Sequence, residues 1–163
     1  MNGLKILPLA ACATMIASAA HAQAPQTERN VSMAMAQAII AGAVEQCTKD
    51  GYKVSVTIVD KAGVVAASLR GDGTNPHTME FSRMKAYTSR TRGQTTLEFQ
   101  QVTSTPDGAR LLQIPSLTSV GGGVPIKVGT ETIGGVGVSG APGGEKDDVC
   151  AKAGIEKVAD NLK

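Results

Sequence analysis

Two stretches of this chain read as β-hairpins, and they restrict its fold more than any other feature. In KVSVTIVD, Lys53 to Asp60, the residues Val54, Val56 and Ile58 alternate with Ser55, Thr57 and Val59, the period of a strand buried mainly on one side. Lys61-Ala62-Gly63 turns the chain, and VVAASLR, Val64 to Arg70, returns as the partner. The second hairpin runs from Val124 to Val128, turns at Gly129-Thr130 and returns from Thr132 to Ser139. Links this short join only antiparallel strands, because a parallel pair needs a crossover of a dozen or more residues. An all-parallel sheet is therefore excluded.

Helical patterns flank the hairpins. Ser32 is placed to cap a helix reaching about Asp50, with Ala36, Ile39, Ile40, Ala43, Val44 and Cys47 on one face and Gly51 as the stop. Asn75-Pro76 opens a second helix, with Asn as cap and Pro at the first position, ending near Arg92 ahead of Gly93. Between Thr95 and Thr118 the pattern weakens, and TTLEF and PDGARLLQI suggest short helical turns. Glu145 to Leu162 reads as the last helix, with Asp147 and Asp148 near its positive end. The order helix, hairpin, helix, irregular segment, hairpin, helix predicts an α+β domain, an antiparallel sheet with helices packed on it. Pro125 predicts an edge or a strand start. The glycines at 134, 135 and 137 predict a close approach by another element. Gly121-Gly122-Gly123 precedes a strand and no GKS or GKT follows, so it is not a phosphate loop. It reads as a flexible loop giving backbone access to a pocket or a neighbouring subunit.

Residues 1–22 have the form of a secretory signal: Lys5 in a short positive start, apolar residues from Ile6 to Ala20, and an A-x-A site at Ala20-His21-Ala22. Leu9-Ala10-Ala11-Cys12 resembles a lipoprotein cleavage box and is the alternative processing site. No other segment is suited to span a bilayer. The expectation is a periplasmic or secreted protein with one domain over residues 23–163. Its net charge of about +1 after loss of Lys5 offers no pull toward nucleic acid or membrane. With no Trp, two Tyr and two Phe, aromatic platforms for bases or sugars are not expected. Two cysteines remain after cleavage, Cys47 and Cys150. In an oxidising compartment they read as one disulfide tying the first helix to the last; two buried thiols are the alternative. Two cysteines and one histidine are too few for a structural zinc site.

GYKVSVTIVDKAGVVAASLR, PHTMEFSRMKAYTSRTRG and GGGVPIKVGTETIGGVGVSGAPGGEKDDVCAKAGIEKV together resemble the GlcG/HbpS family of small haem-binding proteins. The markers are the hairpin VDKAG (Val59 to Gly63), the helix carrying Lys85-Ala86, and the glycine-rich block from Gly121 onward. The resemblance covers Val31 to Leu162. It implies a profilin-like fold, an antiparallel sheet of about five strands flanked by helices, and self-association into dimers or larger symmetric assemblies. It also implies a haem cofactor, with haem or iron storage, buffering or sensing as the role, and haem degradation or a different small ligand as the alternative. An assembly module without ligand is the remaining option.

That resemblance directs attention to His77, the single histidine of residues 23–163. Haem iron is commonly held by His, Met, Tyr or Cys thiolate. Dipoles at a helix N-terminus disfavour a positive charge, so a histidine there favours the neutral imidazole that ligates iron. Met79 and Tyr87 are the next candidates. Phe81 and Met84, one turn further along, are expected to offer an apolar wall to a porphyrin, and Arg83, Lys85 or Arg90 to pair with its propionates. A serine with His77 and Asp60 would make a triad only on paper, since no nucleophile elbow is present.

Overall fold

The structure is a computed structural model and describes residues 24–163. The leader over residues 1–22 and the alternative box at Cys12 lie outside the described residues. Helix α1 (Met33–Lys49) leads into strands β1 (Ser55–Val59) and β2 (Val65–Arg70), then helix α2 (Thr78–Arg92). Helices α3 (Thr96–Thr103) and α4 (Pro106–Ala109) and a 3₁₀ turn, Arg110–Gln113, fill the irregular stretch. Strands β3 (Gly123–Val128) and β4 (Glu131–Ser139) and helix α5 (Gly144–Glu156) complete the fold, followed by a 3₁₀ turn over Ala159–Leu162. Among the described residues no helix is long and apolar enough to cross a membrane.

The sheet is antiparallel throughout, in the order β2-β1-β4-β3. Among the described residues it has four strands where the resemblance implied about five; the two hairpins read from the sequence supply all four. β2 and β3 are the two edges, and Pro125, on β3, cannot donate to a further strand.

Strand β1 is central and buried on both faces, not on one as its alternation suggested. Val56 and Ile58 join the apolar core with Ile39, Val136 and Val138 on the side of α1 and α5. Ser55 and Thr57 face α2, where their hydroxyls meet Thr78 Oγ1 and Ser82 Oγ, each at 2.8 Å. The polar positions of the strand thus mark a second packed face, one satisfied by hydroxyl pairs instead of water.

That second face depends on glycine. A Cβ at Gly137 would collide with the Ser82 carbonyl, and one at Gly135 with the Ala86 carbonyl. Helix α2 has no continuous apolar stripe; it packs through Ser82, Ala86 and Ser89 against a strand surface without side chains. Gly137→Ala is expected to push helix and sheet apart and cost about 1–3 kcal/mol in a denaturant melt. A melt unchanged from wild type would contradict this packing.

Ser32 caps α1 as expected, its Oγ accepting from the Met35 amide. Helix α2 begins two residues later than the Asn75-Pro76 signal predicts. Residues 75–78 form a turn first: the Thr78 amide and hydroxyl both donate to the Asn75 carbonyl, and His77 takes the N-cap position. Cys47 and Cys150 are joined by a disulfide, with Cα atoms 5.5 Å apart, and this fastens α1 to α5.

Candidate functional site

At the end of the sheet where β4 finishes, a cleft of about 400 Å³ opens between the start of α2 and the Gly140–Gly144 connection. That size is within the usual range for a small-molecule site. Helix α2 contributes His77, Phe81 and Lys85; the β4–α5 connection supplies the opposite wall. His77 is exposed and makes no side-chain capping bond. Its ring meets Phe81 edge-on, with centroids 6.4 Å apart, as expected for residues four apart on a helix. Val120, Ala141 and Pro142 add apolar surface, while Asn75 and Ser139 are polar groups on the lining.

Lys85 has a different partner from the one expected. Its ammonium donates to Asp147 Oδ2 at 2.7 Å and to the Val138 carbonyl at 2.9 Å, and the paired side chains are only 1% and 4% exposed. Loss of solvation lowers the pKa of Lys85 and raises that of Asp147, while their mutual attraction opposes both shifts. A ligand carboxylate would have to displace Asp147 to use this lysine. Arg83 is also engaged, donating to the Glu80 carboxylate and to Ser116 Oγ, and Arg90 donates to the Lys61 carbonyl.

Met84 lies outside the cleft lining, as do Met79 and Tyr87. The Tyr87 ring covers the first hairpin turn, so close that a Cβ at Gly63 would come within 3.0 Å of it. Of the two residues expected to form an apolar wall, Phe81 lines this cleft and Met84 does not.

No sequence signal singled out Asp147 as a site residue, and the loop before it reads merely as a Gly/Pro turn. Asp147 Oδ1 accepts from the Ala141 amide at 3.0 Å, so the carboxylate, itself part of the cleft lining, ties the loop to the first turn of α5. The triple glycine is not a flexible loop. Gly121, Gly122 and Gly123 are buried; a Cβ at Gly122 would approach Asp147 Cβ to 2.6 Å and Lys85 Nζ to 3.0 Å. These glycines make room for the ion pair and for the start of α5.

A family model described as "Haem degrading protein HbpS-like" matches residues 31–156. The chain belongs to the HbpS-like family. Protein GlcG of Escherichia coli strain K12 is 34% identical over 114 residues, 70% of this chain and 84% of that protein. The crystal structure of a Streptomyces reticuli HbpS double mutant superposes with a TM-score of 0.78 at 30% identity, covering 90% of this chain and 97% of that one. A crystal structure of a PduOC:heme complex has a TM-score of 0.71 at 25% identity, covering 78% of this chain and 94% of that chain. The α+β, profilin-like expectation for the HbpS-like fold is met, with four strands in the sheet.

The chemistry of the lining fits what such a family would bind. One imidazole stands at the rim beside Phe81, and apolar Val120 and Pro142 complete a surface able to meet a flat hydrophobic ring.

Proposed function

We infer that this protein is an exported haem binder and that the cleft between His77 and the Gly140–Gly144 wall is where the haem lies. The observation that carries this reading is the pairing of His77 with Phe81 at the cleft, within a chain of the HbpS-like family. His77 would supply a nitrogen to the iron, and Phe81 would pack against the porphyrin. Bound haem supplies an iron centre able to exchange electrons or bind oxygen; the protein's part is to hold it and limit water around it. The leader sequence and the disulfide support an oxidising, extracytoplasmic setting, in which storage, buffering or sensing of haem is the role. The exported chain should begin at Gln23, which its intact mass would report; a retained Met1 would remove the export part of the reading. Self-association into a dimer or higher oligomer belongs to the same reading, on family likeness.

Degradation is the second reading, favoured by the description of the matching family model. The two separate in one experiment on residues 23–163. Haemin at micromolar concentration should give a saturable Soret band. Added reductant and oxygen should leave the band intact if the protein only binds haem. Loss of the band with release of iron would instead assign degradation, and no saturable band would overturn both.

A further inference from the structure

The Lys85–Asp147 pair is a poor source of stability for a group so prominent in the fold. It is nearly solvent-free, and burial acts against the ionised form of each member. Replacing such pairs by uncharged residues of similar size is often neutral or stabilising. Its connections point elsewhere. Through Lys85 the carboxylate reaches α2 and the end of β4; through Oδ1 it holds the Ala141 amide. Lys85 lies two turns along α2 from His77 and one turn from Phe81, whose ring centroid is 5.1 Å from the ammonium. Gly122, at φ +111°, leaves the space the pair occupies.

We propose that the Lys85–Asp147 pair is a positioning device that fixes the Gly140–Gly144 wall of the cleft against the helix bearing His77 and Phe81, and so sets the affinity of the cleft for its ligand. This rests on the haem reading for the identity of the ligand, but not for the existence of the clamp. Both side chains belong to the cleft lining, but so little of either is exposed that their polar atoms are taken up by each other and by the Val138 carbonyl. Lys85 and Asp147 are positioning residues and do not themselves bind the iron.

The test compares wild-type residues 23–163 with the Lys85→Met/Asp147→Asn double variant. Removing both charges leaves no orphaned ion, and the carboxamide introduced at position 147 keeps an oxygen for the Ala141 amide. The double variant should melt within a few degrees of wild type. Hydrogen exchange across residues 140–144 should be at least about tenfold faster, since the charged grip on the loop is gone. Haemin affinity should fall by about tenfold or more with the Soret position unchanged, because a displaced wall weakens binding while His77 is untouched.

Wild-type affinity in the double variant would overturn the proposal, whatever the exchange rates. So would a double variant melting as far below wild type as Lys85→Met alone, which would make the pair plain structural support. If wild type binds no haemin, the haem reading fails by itself. The exchange comparison then still decides the clamp: unchanged rates at residues 140–144 refute it.

Discussion

Lys85→Met should be among the most damaging single substitutions in the chain, lowering stability by about 3–5 kcal/mol. The reason is the carboxylate left behind. Asp147 is 4% exposed, and in the variant its second oxygen would have no cation within reach. The hydrogen bond from the Ala141 amide and the nearby Gly140 amide would remain, neither of them a full charge. For a domain of this length the expected drop in melting temperature is roughly 10 °C or more.

The pH dependence of the variant has a definite sign. Burial already raises the pKa of Asp147 above its ordinary value with Lys85 present, and loss of the lysine raises it further. A carboxyl whose folded pKa exceeds its unfolded one is more stable in the fold when protonated. The deficit of Lys85→Met should therefore shrink as the pH falls through the raised folded pKa toward the ordinary carboxylate range. Urea melts at neutral and mildly acidic pH measure this directly. A loss below about 1 kcal/mol at neutral pH would mean that the pair is not buried as described.

The second large effect is expected from the disulfide. Cys47 and Cys150 are 103 residues apart in sequence and close a loop that takes in all four strands. In the chain-entropy description a loop of that length restricts the unfolded state by about 4–5 kcal/mol. The bond also fastens α1 to α5, the two helices that cover the Val56 and Ile58 face of the sheet. The Cys47→Ala/Cys150→Ala variant, or the wild type in reductant, should lose up to that amount in a guanidinium melt. Coincident oxidised and reduced melts would contradict this role for the bond. A cytoplasm-expressed, reduced sample is likewise expected to lack much of the stability available to the oxidised protein.

The hairpins, the cap at Ser32 and the Cys47–Cys150 pairing were legible in the sequence because each depends on local or compositional rules. Strand period, turn chemistry and cysteine count act without knowledge of what lies across the core. The burial of both faces of β1 was not legible, since a Ser/Thr face resembles a wetted one until the hydroxyls of Thr78 and Ser82 are seen opposite. The start of α2 was displaced for a similar reason: Thr78 turns its hydroxyl back to Asn75, and the helix begins only after that turn.

The site was legible in part. Helical spacing put His77 and Phe81 together, and the structure opens a cleft beside them. Spacing also put Lys85 on that face, but its partner lies 62 residues further along the chain, beyond the reach of any periodicity. Spacing grouped Met84 with them as well, but Met84 does not line this cleft. The glycines at 121–123 read as flexible from composition, whereas the close contacts around them show that they are needed for space.

The most direct test of the central claim is a haemin titration of residues 23–163, with wild type and His77→Ala side by side, followed at the Soret band. Ligation by His77 predicts saturable binding by wild type, and a band that shifts or disappears in the variant with affinity reduced by about tenfold or more. Identical bands and affinities in the two proteins would contradict the assignment of His77 to the iron.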